Sequence, residues 1–527
     1  MQKEMLLKLS PSEAVDEKII NRYIAQSLGK TEVNITGFYR LKQSIDARSS
    51  KQVWINLSVK AFIDEPFRQR NIIPVNFKNV SRAKTKVLII GAGPAGLFAA
   101  LKLLEAGIQP IILERGKDVR ARRRDLAILN KEGIINPESN YCFGEGGAGT
   151  YSDGKLYTRS SKRGDITRIL TLLFQFGADE KILYEAHPHI GTNKLPDIIT
   201  AIRQQIINSG GIFFFGKKVV DLIIQHDILT AVTTSDGDTI AADAAILATG
   251  HSARDIFQLF DKKQLLLEAK PFALGVRIEH PQTLIDSIQY HCAARGEYLP
   301  PASYGLVEQV NKRGVFSFCM CPGGIIAPAA TNAGELVING WSPSKRNNPY
   351  ANSGMVVQVE EKDAKKYFEK DRSKNIDSSL LLMHFQESVE QAAFTAGGGK
   401  FIAPAQRMVD FCSNTFSSDL PGCSYLPGIA ATDLKTVLPD FIFQSLQKGF
   451  TAFGKKMRGY YTNEAVVVAT ESRTSSPVRI PRDTSQLSHP QIQNLYPCGE
   501  GAGYAGGIVS AAMDGEKVAD IIIKKER

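Results

Sequence analysis

The sequence predicts an α/β protein whose central layer is a parallel sheet, with an α+β domain inserted into it and a small α+β module before it. Three observations carry this prediction. Residues 87–114 read as a strand, a glycine turn, a helix and a second strand that ends on an acid. Apolar strands also lead into Ala-Thr-Gly at 248–250 and into the glycine run at 499–507. These turns are far apart in the chain, so one sheet must collect strands from distant segments.

The module is predicted from residues 1–80. A capping box, Ser10 to Glu13 with Pro11 at the first helical position, predicts a helix over about 11–27. Apolar residues alternate with polar ones over 53–61, the period of a half-buried strand, and 37–45 is its expected partner. The resulting β-α-β-β order favours a ferredoxin-like α+β module.

The first glycine turn has the spacing of a Rossmann-like, FAD/NAD(P)-binding fold. Gly91 would make the tight turn, Gly93 would let the backbone approach a pyrophosphate, and Gly96 would let helix and strand pack closely. The helix that begins there points its amides at the phosphates, and the acid at the end of the next strand binds ribose. The residues predicted to serve the nucleotide here are Gly91, Gly93, Pro94, Ala95, Gly96, Glu114 and Arg115.

The far end of the chain resembles the C-terminal motif of FAD-dependent oxidoreductases in the glutathione-reductase-like flavoprotein superfamily. That resemblance implies that Glu500, where Asp is commoner, binds the ribityl chain, and that the next helix points at the flavin. It also implies that the strand ending in Ala248-Thr249-Gly250 passes the flavin and that Val220, or its neighbour Val219, packs on the adenine; a plain core valine is the alternative. The residues implied at the C-terminal turn are Gly499, Glu500, Ala505, Gly506, Gly507 and Ile508.

A glycine-rich segment, 139–159, falls where related flavoproteins run a loop along the pyrophosphate and the flavin edge. Its backbone amides can form an anion nest, and Lys155 could neutralise a phosphate or the flavin N1–C2 edge. A surface loop without function is the alternative. The candidate cofactor residues in this segment are Gly147, Ala148, Gly149, Ser152 and Lys155.

This segment, together with 189–192, 272–281 and 470–479, resembles a bacterial family of FAD-dependent, or NAD(FAD)-utilising, dehydrogenases. The resemblance covers nearly the whole chain and implies a fold and FAD as cofactor, but no substrate. We therefore expect a dinucleotide-binding domain split by the inserted domain. The expected divisions are an N-terminal module (1–80), the FAD-binding domain (81–265), the inserted substrate-facing domain (266–465) and the C-terminal part of the FAD-binding domain (466–527).

Two candidate catalytic residues lie on the first predicted strand of the inserted domain. Arg277 could clamp a substrate carboxylate through two bonds, and His280 could pass a proton. A surface arginine and a packed histidine are the alternatives.

The pair Cys319 and Cys321 suggests a redox role, but two cysteines with one residue between them close only a strained disulfide. No second Cys/His pair completes a metal site, so we expect no metal.

Composition limits the remaining classes. The formal charge of +10 could indicate nucleic acid, but the densest basic run, 117–124, directly follows the ribose-binding acid. Cofactor phosphates and a solvated helix face explain it, and nucleic-acid binding is disfavoured. No stretch reads as a membrane span or secretory leader. Seven scattered cysteines form no disulfide framework, which favours a cytoplasmic location. Nothing indicates an oligomeric state.

No second complete nucleotide-binding unit is visible, so a nicotinamide reductant, NAD(P)H, would bind without a fold of its own. In this the chain resembles succinate dehydrogenase, fumarate reductase and amine-oxidase relatives. The sequence thus predicts an FAD-dependent dehydrogenase or reductase that transfers hydride between flavin N5 and a small organic substrate or nicotinamide. The alternatives are a flavin-dependent oxidase or hydroxylase, and a non-catalytic flavoprotein that binds RNA, protein or membrane partners through residues 1–80.

Overall fold

The computed structural model describes residues 1–158, 164–369, 373 and 375–526. Within these ranges no helix is both long enough and apolar enough to cross a membrane. The N-terminal module consists of four elements: β1 (Gln2–Leu9), α1 (Glu17–Leu28), β2 (Ile35–Asp46) and β3 (Trp54–Ile63).

The module sheet has the order β1-β3-β2 and is antiparallel throughout, the split β-α-β arrangement expected of a ferredoxin-like module. The predicted helix starts later than expected. The capping box forms, with Ser10 N donating to Glu13 Oε2 at 2.8 Å, but it opens only a short 3-10 turn. A second cap, Asp16, accepts from the amides of Lys18 and Ile19 and begins α1.

The central parallel sheet collects five strands in the order β22-β10-β4-β5-β6. Its strands are β4 (Lys86–Ile90), β5 (Gln109–Glu114), β6 (Ile212–Phe215), β10 (Ala244–Leu247) and β22 (Leu495–Pro497). Alternate residues of β4 enter two different cores, Val87 and Ile89 on one face and Leu88 and Ile90 on the other. A strand buried on both faces requires a continuous apolar sequence, and Val-Leu-Ile-Ile supplies it.

Helices cover one face of this sheet, and a second, small sheet covers the other. The helical layer contains α2 (Pro94–Ala106), α4 (Ile166–Gln175), α5 (Leu195–Asn208) and α12 (Ile508–Lys525). The opposite layer contains β7 (Val219–Gln225), β8 (Ile228–Thr234), β9 (Thr239–Ala241) and α6 (Arg254–Lys262). Helix α3 (Val119–Glu132) follows β5. The three-layer architecture agrees with the predicted fold class.

The inserted domain is built on a seven-stranded mixed sheet in the order β13-β14-β17-β12-β20-β18-β19. Its strands are β12 (Phe272–Pro281), β13 (Val307–Val310), β14 (Arg313–Cys321), β17 (Tyr350–Val359), β18 (Ala403–Arg407), β19 (Ile429–Ala431) and β20 (Val466–Glu471). The accompanying elements are β11 (Glu268–Ala269), α7 (Gln282–Tyr290), β15 (Ile325–Pro328), β16 (Ile338–Trp341), α8 (Glu361–Tyr367), α9 (Leu381–Ala396), α10 (Met408–Ser413), α11 (Asp440–Lys456) and β21 (Val478–Arg479).

Strand β20 extends this sheet past residue 465, where the inserted domain was predicted to end. Val466–Glu471 pairs with β12 on one side and with β18 on the other. An apolar run buried in a central strand does not itself reveal which sheet receives it. The chain returns to the parallel sheet only at β22.

Candidate functional site

A cavity of about 360 Å³ lies beyond the carboxyl ends of β4, β5, β10 and β22. Open parallel sheets bind their ligands at this edge, and the volume falls within the roughly 300–1,000 Å³ of small-molecule sites. The residues that follow these four strands form its floor. The inserted domain supplies its roof, so the cavity lies between the two halves of the fold.

The first glycine turn adopts the predicted geometry. Gly91 has a φ of +108°, and an added Cβ would lie 2.4 Å from the carbonyl oxygen of Ala248. At Gly96 an added Cβ would lie 2.1 Å from the carbonyl oxygen of Gly91. Gly96 does not line the cavity, and its role is the predicted close packing of helix on strand. Gly93 caps α2 and Pro94 takes its first turn, so this helix begins at the cavity.

The C-terminal helix α12 also begins at the cavity, with Gly507 as its N-cap. The structure therefore brings the predicted motifs at both ends of the chain to one place. An added Cβ would meet no protein atom within 4 Å at four glycines of the lining, Gly93, Gly250, Gly506 and Gly507. Bare backbone at two helix N-termini, with free space above it, fits a long ligand that carries phosphates, as FAD does.

Glu114 lines the cavity with a buried carboxylate. One oxygen accepts from Ala92 N at 3.0 Å, and the other accepts from Gly116 N at 2.8 Å and from Gly144 N at 3.0 Å. The acid thus joins the glycine turn to the 139–159 loop, a second role beside the predicted ribose contact.

The loop itself is held by Arg122, which is fully buried. Its guanidinium donates to the carbonyl oxygens of Asn140 and Glu145, both at 2.8 Å, and of Tyr141 at 3.0 Å. The sequence interpretation of the basic run as cofactor contacts and a solvated helix face is wrong at this position, because a buried guanidinium needs several acceptors and the loop carbonyls provide them.

The loop places its glycines over both helix N-termini. Residues 147–149 form a short 3-10 turn. An added Cβ at Gly149 would lie 3.2 Å from Ile508 and 3.6 Å from Pro94. Ala148 and Ser152 also line the cavity, as predicted.

The two predicted cations of the site lie in the lining, but each already has protein partners. Lys155 Nζ donates to the carbonyl oxygen of Met320 in the inserted domain. Arg115 bonds to Glu138 at 2.6 Å and to Asp255 at 2.9 Å. Both cations therefore fix the walls of the cavity as well as facing into it.

Besides Gly96, two predicted cofactor residues lie outside the lining. Val219 faces the cavity and is buried, whereas Val220 is 42% exposed, because successive strand residues point to opposite faces. Of the two valines predicted to pack on the adenine, Val219 is therefore the one in a position to do so. Ala505 instead packs against the helical core.

The two predicted catalytic residues do not reach the cavity. Arg277 is fully buried and bonds to Glu471, to Asn352 at 2.7 Å and to the carbonyl oxygen of Cys319 at 2.7 Å. His280 is also fully buried, and its Nε2 lies 2.9 Å from the carbonyl oxygen of Tyr460. The prediction that they face a substrate is corrected, because β12 is a central strand covered on both faces.

The roof of the cavity consists of side chains from the inserted domain that the sequence did not assign. Besides the cysteines of β14 it includes Phe318, Asn339, Arg473 and Thr474, together with the backbone of Gly340. Cys319 has a φ of +43° and turns its thiol into the cavity, while Arg277 holds its carbonyl oxygen. Burial raises the pKa of this thiol to about 12. Arg277 is thus a positioning residue for the roof.

Arg473 is fixed by a buried ionic cluster formed with Arg254, Glu335 and Glu390. Its guanidinium lies 3.0 Å from Glu390 Oε2 and 3.1 Å from Glu335 Oε2. Arg254 lies 2.9 Å from Glu390 and 3.2 Å from Glu335. Burial alone would raise the pKa of Glu390, but Arg254 and Arg473 outweigh it and hold this pKa low. The cluster joins the inserted domain to α6.

His251 is the residue that follows the Ala-Thr-Gly strand end, and it lines the cavity. Burial, reinforced by the charges of Arg473 and Arg254, lowers its pKa to about 3, so the ring is neutral. Its Nε2 lies 4.0 Å from Glu500 Oε1, and its Nδ1 has no hydrogen-bond partner among the described residues. Burial also raises the pKa of Glu500 to about 7, opposed by Lys270. In the sequence, only its position directly after Ala248-Thr249-Gly250 could have identified His251.

Three families match separate parts of the chain. The family described as pyridine nucleotide-disulphide oxidoreductase matches residues 85–256, the FAD-dependent protein, C-terminal domain-like family matches 271–474, and a domain of unknown function, DUF8436, matches 1–62. These ranges cover the parallel sheet, the inserted domain and the module in turn.

The solved structures found by comparison share little sequence with this chain. A flavocytochrome c3 fumarate reductase is 12% identical, with a TM-score of 0.32 over 84% of this chain and 78% of that one. The glycerol-3-phosphate dehydrogenase of Bacillus halodurans, complexed with FAD, is 11% identical, with a TM-score of 0.34 over 85% of this chain and 66% of that one. Such scores assign no substrate.

The relative that spans the whole chain is an uncharacterized protein of Clostridium beijerinckii. It is 38% identical over 527 residues, which covers 97% of this chain and 96% of the relative. The two flavoprotein families show that FAD is the cofactor and that the activity is redox chemistry. The chain belongs to a bacterial family of FAD-dependent oxidoreductases of uncharacterised function.

Proposed function

We propose that the enzyme oxidises or reduces a small organic molecule whose reacting group is polar but uncharged, between the flavin and the roof of the cavity. The observation that carries this proposal is that the cations at the roof are already paired with protein groups. Its arginine is held by Glu335 and Glu390, and Lys155 is bonded to the Met320 carbonyl. The described roof thus offers neutral groups to a substrate, which favours an alcohol, carbonyl or imine over a carboxylate.

Three side chains have polar atoms left for such a substrate. Asn339 Oδ1 accepts from Gly340 N at 2.7 Å and from Arg277 at 3.4 Å, so its amide NH2 is left to donate into the cavity. The Cys319 thiol stays protonated because its pKa is raised. His251 offers a neutral ring whose Nε2 is the nitrogen left for a substrate, because Nδ1 is buried without accessible surface.

The residues proposed to hold FAD are those of the floor. The amides of Gly93 and Ala95 and those in the 147–149 turn would bind the pyrophosphate, Glu114 the ribose, Val219 the adenine and Glu500 the ribityl chain. The N-terminus of α12 and Lys155 would face the flavin ring and favour negative charge on it. When bound, FAD supplies a flavin ring that accepts or donates a hydride.

We further propose that NADH or NADPH is one redox partner and that the protein acts in the cytoplasm. All seven cysteines are free thiols, which supports a reducing compartment. The domain divisions predicted from the sequence, with β20 moved to the inserted domain, remain part of this proposal.

The test begins with the purified full-length protein. We expect it to be yellow and to release FAD, not FMN or NAD, on denaturation. Air-free mixing with NADH or NADPH should bleach the flavin. Carbonyl acceptors are then added in matched pairs, a neutral compound against the same compound with a carboxylate, and the neutral member should reoxidise the flavin. Reoxidation by carboxylate-bearing acceptors alone would contradict the proposed substrate class, and no bleaching by either nicotinamide would contradict the proposed reductant.

A further inference from the structure

A second cavity lies between the N-terminal module and the rest of the protein. Its volume is about 1530 Å³, above the roughly 300–1,000 Å³ of ordinary small-molecule sites. The end of β2, the segment 181–189, helix α7 with the loop after it, and the end of α11 surround it. We call it the module cleft. No part of the FAD assignment uses it.

Basic side chains outnumber acidic ones in the module cleft. The seven cations are Arg48, Lys181, Arg295, Lys345, Arg346, Lys456 and Arg458, and the three acids are Asp46, Glu185 and Glu297. Arg48 pairs with Asp46 at 2.6 Å. Lys181, Lys345 and Arg458 form no ion pair with any carboxylate in the described part of the chain, so they can pair with a ligand, although the charge of Lys181 also acts on Glu185.

The cleft also contains aromatic surface. Tyr298 lines it and is 48% exposed, so part of its ring is open to a planar group, while its hydroxyl bonds to Glu297. The hydroxyl of Tyr290 bonds to the carbonyl oxygen of Pro300 at 2.9 Å. An exposed ring among unpaired cations is the combination that binds a base and its phosphates.

A single layer of paired residues separates the module cleft from the FAD cavity. Arg346 of the cleft bonds to Asp153 of the cavity at 2.6 Å. The ring of His187 lies 4.8 Å from the ring of Tyr157, which lines the cavity. The backbone of His189 pairs with that of Lys155. An anion bound in the cleft would compete with Asp153 for Arg346 and would thereby act on the wall of the FAD cavity.

We propose that the module cleft is a second ligand site that binds a nucleoside diphosphate group, either free or as part of a dinucleotide. The unpaired cations would bind the phosphates and Tyr298 would stack on the base. A simple dicarboxylate would fill a small part of a cleft of this size and would leave the aromatic ring unused. The proposal rests on the proposed function in one respect, that FAD occupies the first cavity and leaves the cleft free.

The test uses the full-length protein loaded with FAD, because a diphosphate could otherwise enter the pyrophosphate part of the FAD cavity. Titration calorimetry with ADP should show one binding event that succinate does not reproduce. The double variant Lys181→Ala/Lys345→Ala should weaken ADP binding by about tenfold to a hundredfold, the loss expected when bonds to charged groups are removed. Lys517→Ala, on the exposed face of α12, is the matched control and should bind as the wild type does.

Competition decides the source of the group. If NADH or NADPH displaces ADP and the double variant weakens both, the ligand is a dinucleotide; if only ADP binds, the ligand is a free nucleotide. Equal binding of succinate, or ADP affinity unchanged in the double variant, would overturn the proposal. FAD content is measured on the same samples. If the protein contains FAD but does not bind ADP, only the proposal for the module cleft is refuted. If the protein contains no FAD, the proposed function is refuted. In that case the ADP titrations of the variants still test the module cleft.

Discussion

The floor and the roof of the FAD cavity are built in different ways. The floor is backbone: glycine turns, two helix N-termini and a buried acid that binds three amides. The roof is side chains, held by buried ion pairs such as Arg277 with Glu471 and Arg473 with Glu390. The proposed FAD site is thus formed by local backbone geometry, while the surface over it depends on distant residues that meet only in the folded protein.

The largest effect should follow a change in the floor. Gly93→Trp should give a colourless protein, because the indole would occupy the space left over the start of α2, where the pyrophosphate is proposed to bind. FAD content, measured from visible absorbance, is the readout. Gly305→Trp is the matched control, since Gly305 is also a glycine with no atom near an added Cβ but lies outside the cavity lining. Normal FAD content in Gly93→Trp would contradict the assignment of the floor.

The next effect should come from the cluster under the roof. Glu390→Gln removes one of the two anions that Arg254 and Arg473 share, the fully buried one, and leaves only Glu335. We expect the free energy of unfolding to fall by about 3–5 kcal/mol, the cost of removing one partner of a buried ion pair. Chemical denaturation measures it. Glu32→Gln, which breaks the exposed pair with Arg22, should change stability little. Equal stability of the two variants would mean that the cluster does not hold the roof in place.

The difference between floor and roof also explains what the sequence could predict. Gly91, Gly93 and Glu114 stand at spacings set by one turn and one helix, so a short stretch of sequence identifies them. Arg277 has the chemistry of a substrate clamp, but whether a strand residue faces a cavity depends on which strands flank it. The pairing of β12 with β17 and β20 joins residues 69 or more positions apart, and local patterns do not encode it.

Other errors have the same origin. Val219 and Val220 differ only in the face of β7 to which they point, and a one-residue change of register exchanges the two. Arg122 reads as one more cation in an exposed run, and its burial follows from the fold of the 139–159 loop over α3. Cys319 was noticed as a thiol, but its entry into the cavity depends on an irregularity in β14 between Phe318 and Cys321.

A moderate effect on FAD affinity should follow a change at Glu500, in the C-terminal part of the floor. Glu500→Ala should weaken FAD binding by roughly tenfold to a hundredfold, because a bond to a charged acceptor contributes about 1.5–3 kcal/mol. Glu500→Asp should change it little, since the same carboxylate is kept. The dissociation constant follows from fluorescence of released flavin. Full affinity in the alanine variant would show that the ribityl chain is held elsewhere.

A smaller effect should appear with pH. The pKa of Glu500 is raised to about 7 in the protein without FAD, and a ribityl hydroxyl that donates to the carboxylate would lower it. FAD binding would then release a proton, so FAD affinity should fall as the pH drops below about 7, by at most about tenfold per unit. Glu500→Gln should flatten the profile. If the FAD affinity of the wild type does not change over about two pH units, from about pH 5 to 7, Glu500 does not take part in FAD binding.

The smallest effect is expected from replacing the two cysteines of the roof, which tests whether the roof takes part in redox chemistry. Replacing both Cys319 and Cys321 by Ser should leave FAD content and electron uptake unchanged. Burial raises the pKa of both thiols, so the reactive thiolate is scarce, and a residue spacing of two would strain a disulfide.

Air-free titration with a chemical reductant gives the decisive measurement, because it needs no known substrate. A single flavin takes up two electrons, and a flavin with a working disulfide takes up four. We expect two in the wild type and two in the double variant, with Cys412→Ser as a control for loss of a half-buried thiol elsewhere. Four in the wild type and two in the double variant, at equal FAD content, would make Cys319 and Cys321 part of the redox chemistry. The roof would then carry electrons rather than position a substrate, and its separation in role from the floor would no longer hold.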